Sequence, residues 1–504
     1  MKTGHLFLQF DKKLPLILIL IFHLINLRGQ SVLEVGAGRT YADPQSASRA
    51  ARPGDTILIY PGTYRGTFWI ENLKGTATAW ISIRGTDRDR VIFSGGSESL
   101  HISDGEYLRI SQLTITGQSG NGMNIDDAGT LETPAKHIVL SNLVFRDMAA
   151  SGNNDMLKLS GLDSFEIWDC SFTNGSAGGS GIDMVGCHAG IIRNCSFVNQ
   201  GSNCIQAKGG SSGLHISMNL FRNGGQRSLN LGGSTGAAFF RPAGANYEAK
   251  DILVTANIFE GSLAPIAFVG CRNVRVINNT IIRPERWVAR ILQESPDTSF
   301  YQSCAYNSFI NNLVVVDSRL STDVNIGPNT LPSSFTFANN LWFHENNASY
   351  RPSLPVTESG SITGRNPGFV NDGGVAYGIN GSSPAYRKGR VTGLTYQDYL
   401  GRTYASTPSM GAMEYALAGG TKTEAVAKDF ILFPNPVTDH ISVRSRQYPV
   451  YAELLSLNGE HIRSVVLKTA DESWSVSDLP SGVYLIRFRA EYLNHTEKIL
   501  IWRE

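Results

Sequence analysis

Asn219-Leu220-Phe221, Asn257-Ile258-Phe259, Asn279-Thr280-Ile281, Asn312-Leu313-Val314 and Asn340-Leu341-Trp342 are five copies of one short box: an amide, then two residues that are mostly apolar. Upstream, the same box reads Gln112-Leu113-Thr114, Asn142-Leu143-Val144, Cys170-Ser171-Phe172 and Cys195-Ser196-Phe197. The nine copies begin 30, 28, 25, 24, 38, 22, 33 and 28 residues apart. A period of this size in a Gly-rich chain of short apolar runs is the pattern of a solenoid.

Runs such as Ile138-Val139-Leu140, Leu214-His215-Ile216 and Val274-Arg275-Val276 precede the boxes. They are too short for helices and read as strands. A single rung cannot bury its apolar face alone, so the rungs must stack into one core. The amide of the box can pair with its counterparts one rung up and down, and the bulky residue after it fills the interior. The expected fold class is all-β: a right-handed parallel β-helix solenoid followed by a small antiparallel β-sandwich.

The 504 residues leave room for two or three domains. Only 17% are charged and 52 are Gly, which fits an extracellular all-β protein rich in tight turns. Lys and Arg number 44 against 43 Asp and Glu, a balance that argues against nucleic acid as a partner. Residues 1–29 read as an export signal, in which Lys12 and Lys13 precede the apolar run Leu14 to Leu27. That run is short for a membrane span. The six cysteines, Cys170, Cys187, Cys195, Cys204, Cys271 and Cys304, show no Cys-x-x-Cys spacing, which argues against zinc. Cys170 and Cys195 stand where other boxes have Asn. They read as small buried fillers, with a disulfide between adjacent rungs as the alternative.

The stretch Ala50-Ala51-Arg52-Pro53-Gly54-Asp55-Thr56-Ile57 with Pro61-Gly62-Thr63-Tyr64 resembles the opening of secreted β-helix proteins of the pectate-lyase superfamily. Ser383-Pro384-Ala385, Asp398, Gly401-Arg402 and Gly411-Ala412-Met413-Glu414-Tyr415 resemble the closing segment of many of them. The resemblance covers most of residues 31–415 and speaks to fold more than to reaction. Residues 416–428, rich in Ala, Gly, Thr and Lys, read as a linker. Then follow Phe433-Pro434-Asn435-Pro436, Leu457-Asn458-Gly459-Glu460, Leu479-Pro480-Ser481-Gly482-Val483-Tyr484-Leu485 and Lys498-Ile499-Leu500-Ile501-Trp502-Arg503-Glu504. Residues 429–504 thus look like the C-terminal sorting domain of the type IX secretion system of Bacteroidetes. That resemblance implies export through the Sec pathway, then the type IX secretion machinery, to the medium or the outer-membrane surface. The chain is expected to act as a monomer.

Period-2 alternation turns Ile, Leu and Met inward along a second set of strands. The outward column then reads Asn124, Lys158, Asp183, Gln206, Asn230 and Ala267, with Arg290 one rung further. The next outward column reads Asp126, Ser160, Val185, Lys208, Gly232 and Val269. The longest step between boxes carries an insertion with Phe239, Phe240, Arg241 and Tyr247, and insertions commonly mark the binding face of a solenoid. Phe239, Phe240 and Tyr247 suit stacking on sugar rings, and Arg241 suits bidentate capture of a carboxylate.

These residues point to β-elimination on a uronic-acid polymer. A cation must neutralise the uronate, a base must remove the C5 proton and an acid must protonate the leaving oxygen. Lys208, Arg227 and Asp183 are the expected catalytic residues, with Lys208 as base if Arg227 and partial burial lower its pKa. Lys158, Gln206, Asn230, Arg241, Phe240, Tyr247 and Arg290 are expected to bind the acidic polysaccharide. The run Lys208-Gly209-Gly210-Ser211-Ser212, followed by Arg227, is similar to the Lys-then-Arg arrangement of alginate and dermatan lyases of this fold. Those enzymes have acidic calcium ligands before the Lys, where this chain has Asn203, Cys204 and Gln206. No cofactor is firmly predicted, and calcium has only Asp183 and Asp155 to draw on.

Two other readings remain. A glycoside hydrolase needs paired carboxylates, which Asp126-Asp127 supply, and Gly186-Cys187-His188-Ala189-Gly190 is similar to a segment of polygalacturonase-like enzymes. A non-catalytic glycan-binding solenoid would also present polar columns. Plainer pairings are open too: Lys158 with Asp183, and Arg290 with Glu294.

Overall fold

The computed structural model describes residues 30–415, apart from Pro296 and Tyr396, and residues 430–502, apart from 434–436, 446–449, 457–460, 468–470 and 491–492. The expected export signal, the linker and the Pro-Asn-Pro and Asn-Gly turns lie outside the described residues. Three long parallel sheets of 13, 10 and 12 strands run along the solenoid, and each complete turn of chain contributes at least one strand to each sheet. The single α-helix among the described residues, Pro44–Ser48, is capped by Asp43, whose side chain accepts from Ser46 N at 2.7 Å.

The box strands form the 12-stranded sheet. Phe145, Phe172, Phe197, Phe221 and Phe259 stand in register one above the other. All five are fully buried, with ring centroids 4.9, 4.7, 5.1 and 4.7 Å apart. Burying each ring contributes roughly 1.5–3 kcal/mol.

The amide ladder is present from Asn219 onward. The Nδ2 groups of Asn219, Asn257, Asn279 and Asn312 donate to the Oδ1 of the next Asn at 3.0–3.1 Å. Each of these Nδ2 groups also donates to a backbone carbonyl beneath it. The last amide, Asn340, donates to Glu358 Oε1 at 2.6 Å, so a carboxylate closes the ladder.

The first two boxes are offset by one residue. Val144 pairs with Ser171 and with Thr114, so Leu143 aligns with Cys170 and Gln112 and Asn142 fall outside the ladder. Both occupy the bend before it, in the left-handed region with φ of 61° and 52°. Asn tolerates that conformation better than most residues, so it serves the bend as readily as the ladder. All six cysteines are buried with free thiols. Cys195 N donates to Asn219 Oδ1, which joins the cysteine rungs to the ladder.

The closing segment folds back over the outer side of the box sheet. Ala412 and Met413 pack on Ile258, while Ile379, Ala385 and Met410 pack on Ile282, Leu313 and Leu341. This cover explains why that sheet is apolar on both faces in its last rungs. At the C-terminus, strands Phe430–Phe433, His440–Ser445 and Asp471–Ser475 form one antiparallel sheet. His461–Leu467, Val450–Ser456, Gly482–Ala490 and Leu493–Ile501 form another. Ile441, Val443 and Trp474 of the first share a core with Leu454, Ile486 and Phe488 of the second, which makes a small sandwich.

Asn257→Ala strands the Asn219 backbone N–H and amide, which both donate to Asn257 Oδ1. The expected loss is roughly 2–4 kcal/mol, read as a lower melting temperature by circular dichroism, whereas an exposed substitution such as Arg65→Ala leaves melting nearly unchanged.

Candidate active site

The 10-stranded sheet carries the two outward columns. Asn124, Lys158, Asp183, Gln206, Asn230, Ala267 and Arg290 are partners in successive strands. Upstream the column continues to His101 and Trp69. The second column runs Glu71, Ser103, Asp126, Ser160, Val185 and Lys208. All six of these residues line one open groove of about 1080 Å³. Asp127, Ala128, Gly129 and Leu131 form one wall, and Ser234 to Arg241 contribute the other.

At the basic end, Asp183 is almost fully buried, 1% exposed. Lys158 Nζ makes a close ion pair with its Oδ2, and Lys208 Nζ approaches the same oxygen at 3.5 Å. Asp155, 2% exposed, lies 3.7 Å from Lys158 Nζ. Burial, then the neighbouring Asp183, pushes the Asp155 carboxyl up to about 7. Burial pulls the Lys158 ammonium down, but Asp183 and Asp155 outweigh it and the net direction is up. Lys158 is therefore held as a cation. Lys158 and Lys208 both reach the groove.

The Gly-Gly after Lys208 has a packing cause. Gly209 and Gly210 sit at φ of 63° and 89°, and a Cβ on Gly210 would lie 2.2 Å from the Arg241 carbonyl. The insertion crosses there, with Arg241 N donating to Gly209 O at 2.9 Å. Glu248, 1% exposed, fastens the crossing. Its carboxylate accepts from Gly209 N, Thr235 N, Thr235 Oγ1 and Ser295 Oγ at 2.6–3.1 Å. A Cβ on Gly233 would meet the Lys208 stem at 3.2 Å, so the loop leaving the sheet rests on that stem.

Several expected site residues are engaged elsewhere. Arg227 pairs with Glu294 at 2.6 Å and donates to Asn230 Oδ1 at 2.9 Å. Its strand partner is Asn203, five residues before Lys208, so it lies roughly 16 Å along the sheet and does not act on Lys208 directly. Asn230 is buried, 3% exposed, with its carbonyl taken by Arg227. Gln206 is half-buried and accepts from Asn203 at 3.2 Å. Arg241 makes a bidentate pair, but with Asp163 of this chain, at 2.6 and 2.7 Å; it also donates to the Gly186 and Leu131 carbonyls and meets His188 Nδ1. Phe240 is buried against Tyr301, whereas Phe239 is 66% exposed and lines the groove. Tyr247 lies under Lys250 and outside the groove lining. Arg290 stacks on buried Trp287 and donates to Asn325; Glu294 pairs with Arg227 instead.

Beside the far end of the groove lies a cluster that the repeat missed, because its rungs precede the first box. His101 sits between Glu98 Oε2 at 2.8 Å and Asp126 Oδ2 at 2.7 Å. Burial alone would discharge the imidazole, but Asp126 and Glu98 outweigh it and hold its pKa up at about 9. The Trp69 ring stacks on His101 at 4.1 Å and is 48% exposed. The available signal was the alternation of Phe68-Trp69-Ile70-Glu71, which turns an aromatic outward.

A calcium site does not fit these residues. Among the described residues no group of three or more His, Cys, Asp or Glu could hold a metal ion. Asp183 and Asp155 are committed to lysine, and the one unpartnered oxygen, Asp183 Oδ1, falls far short of the six to eight ligands calcium takes.

The family model of the right-handed β-helix region matches residues 80–243, and that of the secretion system C-terminal sorting domain matches residues 431–502. The chain is thus a right-handed parallel β-helix protein carrying a C-terminal sorting domain, which marks it for export. No curated protein sequence matches it. Pectate lyase Pel9A is similar in structure, with 14% identity, a TM-score of 0.51, and coverage of 77% of this chain and 97% of that one. An alginate lyase from Paenibacillus sp. str. FPU-7 shares 18% identity over 62% of this chain and 97% of its own, at a TM-score of 0.39. A GH136 lacto-N-biosidase from Eubacterium ramulus shares 12% over 69% of each chain, at 0.43. At these identities the likeness is one of fold.

The raised Asp155 carboxyl has a consequence for stability. Its contribution is fully present below the ordinary value of 3.8 and is lost as pH rises through about 7. Asp155→Asn is expected to flatten the decline in denaturant midpoint across that window, compared with wild type.

Proposed function

We propose that this protein is a carbohydrate-active enzyme, a polysaccharide lyase cleaving a uronic-acid glycan by β-elimination outside the cell. The observation that carries the reading is the pair of lysines sharing the buried Asp183 carboxylate on the floor of an open groove. Export by the sorting domain and the fold shared with pectate lyase Pel9A support it.

The two lysines divide the labour by geometry. Lys158 is bound closely to Asp183 and stays charged, so it neutralises the uronate carboxylate and acidifies the C5 proton. Lys208, held more loosely at 3.5 Å, presents its amine to that proton. The C5–H electrons form the C4–C5 double bond as the C4–O bond breaks. The proton on Lys208 then passes to the leaving oxygen, so none is gained or lost. Asp183 is a positioning residue, and Phe239 offers an exposed ring on the groove wall. Arg227 and Arg241 serve the scaffold: one braces Asn230, the other ties the insertion to Asp163.

A second reading has its own observation. Asp126 and Asp127 both line the groove, and their surroundings drive them apart. Asp127 is raised, chiefly by burial; Asp126 is also penalised by burial but is lowered on balance by His101 and other hydrogen bonds. Paired carboxylates of unequal pKa are what a glycoside hydrolase uses.

Incubation with a panel of uronate polymers separates the readings. The lyase gives a rising absorbance of unsaturated uronide, the hydrolase gives reducing ends without it, and a binding solenoid gives neither. Lys208→Ala is expected to cut the lyase rate by about 100-fold or more, while Arg227→Ala retains most of it. Full activity in Lys208→Ala would remove the assignment.

A further inference from the structure

The groove is electrically bipolar. Its basic end holds Lys158 and Lys208. Toward the first rungs its floor carries Asp126 and Glu71, and no cation pairs with Glu71 among the described residues. Asp126 and Glu98 share the single positive charge of His101, which leaves that trio one negative charge in excess. Asp104 is already neutralised by Lys74 at 2.9 Å. From Lys208 to Glu71 the column spans five rung steps, roughly 24 Å. An extended glycan seated at the lysines therefore passes over the acidic end.

Trp69 stands beside that end, in the neighbouring column, two residues before Glu71 on the same outward face. One face of its indole lies on the His101 ring and nearly half of the residue is open. Its backbone N–H is tied to Gln45 Oε1 at 3.0 Å. An exposed, braced aromatic gives a sugar ring an apolar platform. Carboxylates beside it accept strong hydrogen bonds from sugar hydroxyls but repel another carboxylate.

We propose that Trp69, with Glu71 and Asp126, forms a distal subsite for an uncharged sugar, so that the substrate is a mixed glycan in which uronates are interspersed with neutral residues rather than a homopolymer of uronate. The inference rests on the lyase reading for the placement of the uronate at Lys158 and Lys208. It adds a neutral-sugar requirement roughly three to five rungs away.

Affinity electrophoresis of the full-length protein tests it. Native gels contain a homopolyuronate, a polymer alternating uronate with a neutral sugar, or no glycan. Wild type is expected to be retarded most by the alternating polymer. Trp69→Ala should weaken that retardation about tenfold and leave the homopolyuronate response within about twofold. Trp69→Tyr, which keeps a stacking ring, should restore most of it and control for folding. Glu71→Gln, at an exposed position, should strengthen homopolyuronate binding severalfold. Equal retardation by both polymers, or loss of alternating-polymer binding that Trp69→Tyr does not restore, would overturn the subsite. Retained elimination with no effect of Trp69→Ala sinks the subsite alone; absence of unsaturated uronide from every uronate polymer sinks the lyase reading alone.

Discussion

The structure depends on register between rungs. A parallel stack has no turn geometry to fix which residue lies over which, and a slip of one residue would turn every inward side chain outward. Two interior ladders hold the register. The Asn amides bond to each other and to backbone carbonyls, so a slip breaks buried hydrogen bonds with no water to replace them. The five stacked Phe rings hold the rungs before and around the first amides. Cys195 joins the two systems, because its backbone N–H donates to Asn219. The ladder needs an end as well, and Glu358 supplies one by accepting from both Asn340 and Trp342.

Fixed register converts sequence into columns, and the columns place charge. Lys158, Asp183 and Lys208 are far apart in sequence but fall on adjacent strands. Burying Asp183 with one lysine would leave little to offer a substrate; a second lysine, 3.5 Å from the same carboxylate, adds an amine at the groove. Three rungs upstream His101 does the reverse, dividing one positive charge between two carboxylates. The groove floor thus carries lysines at one end and carboxylates at the other without any long-range rearrangement of the fold.

The repeat made the scaffold and the two columns readable, because both follow from a period of two within strands and a near-regular period between rungs. What it left unread has physical reasons. Gln112 and Asn142 were placed one residue out because Asn suits both the left-handed bend and the ladder beside it. Trp69 and His101 lie in rungs without a box. Arg241, Phe240 and Tyr247 belong to an insertion whose path no period dictates. The expected bidentate fork of Arg241 does form, yet its carboxylate partner, Asp163, comes from 78 residues upstream. Arg227 was assigned to Lys208 because the two are near in sequence order on consecutive rungs, but its side chain emerges at the opposite end of the strand.

The insertion is where the fold gives up regularity. It leaves the sheet over the Lys208 stem, crosses the Gly209–Gly210 turn and returns at Glu248. Each contact requires something the repeat would not otherwise select: a residue without Cβ at 210, left-handed backbone at 209 and 210, and a buried carboxylate with four donors. A chain that needed only to close a solenoid could omit all of them. Their joint effect is to hold one groove wall, with Phe239 on it, against the amine-bearing floor. These departures gather around the Lys208 turn in space, which is why the site is better located by them than by the repeat itself.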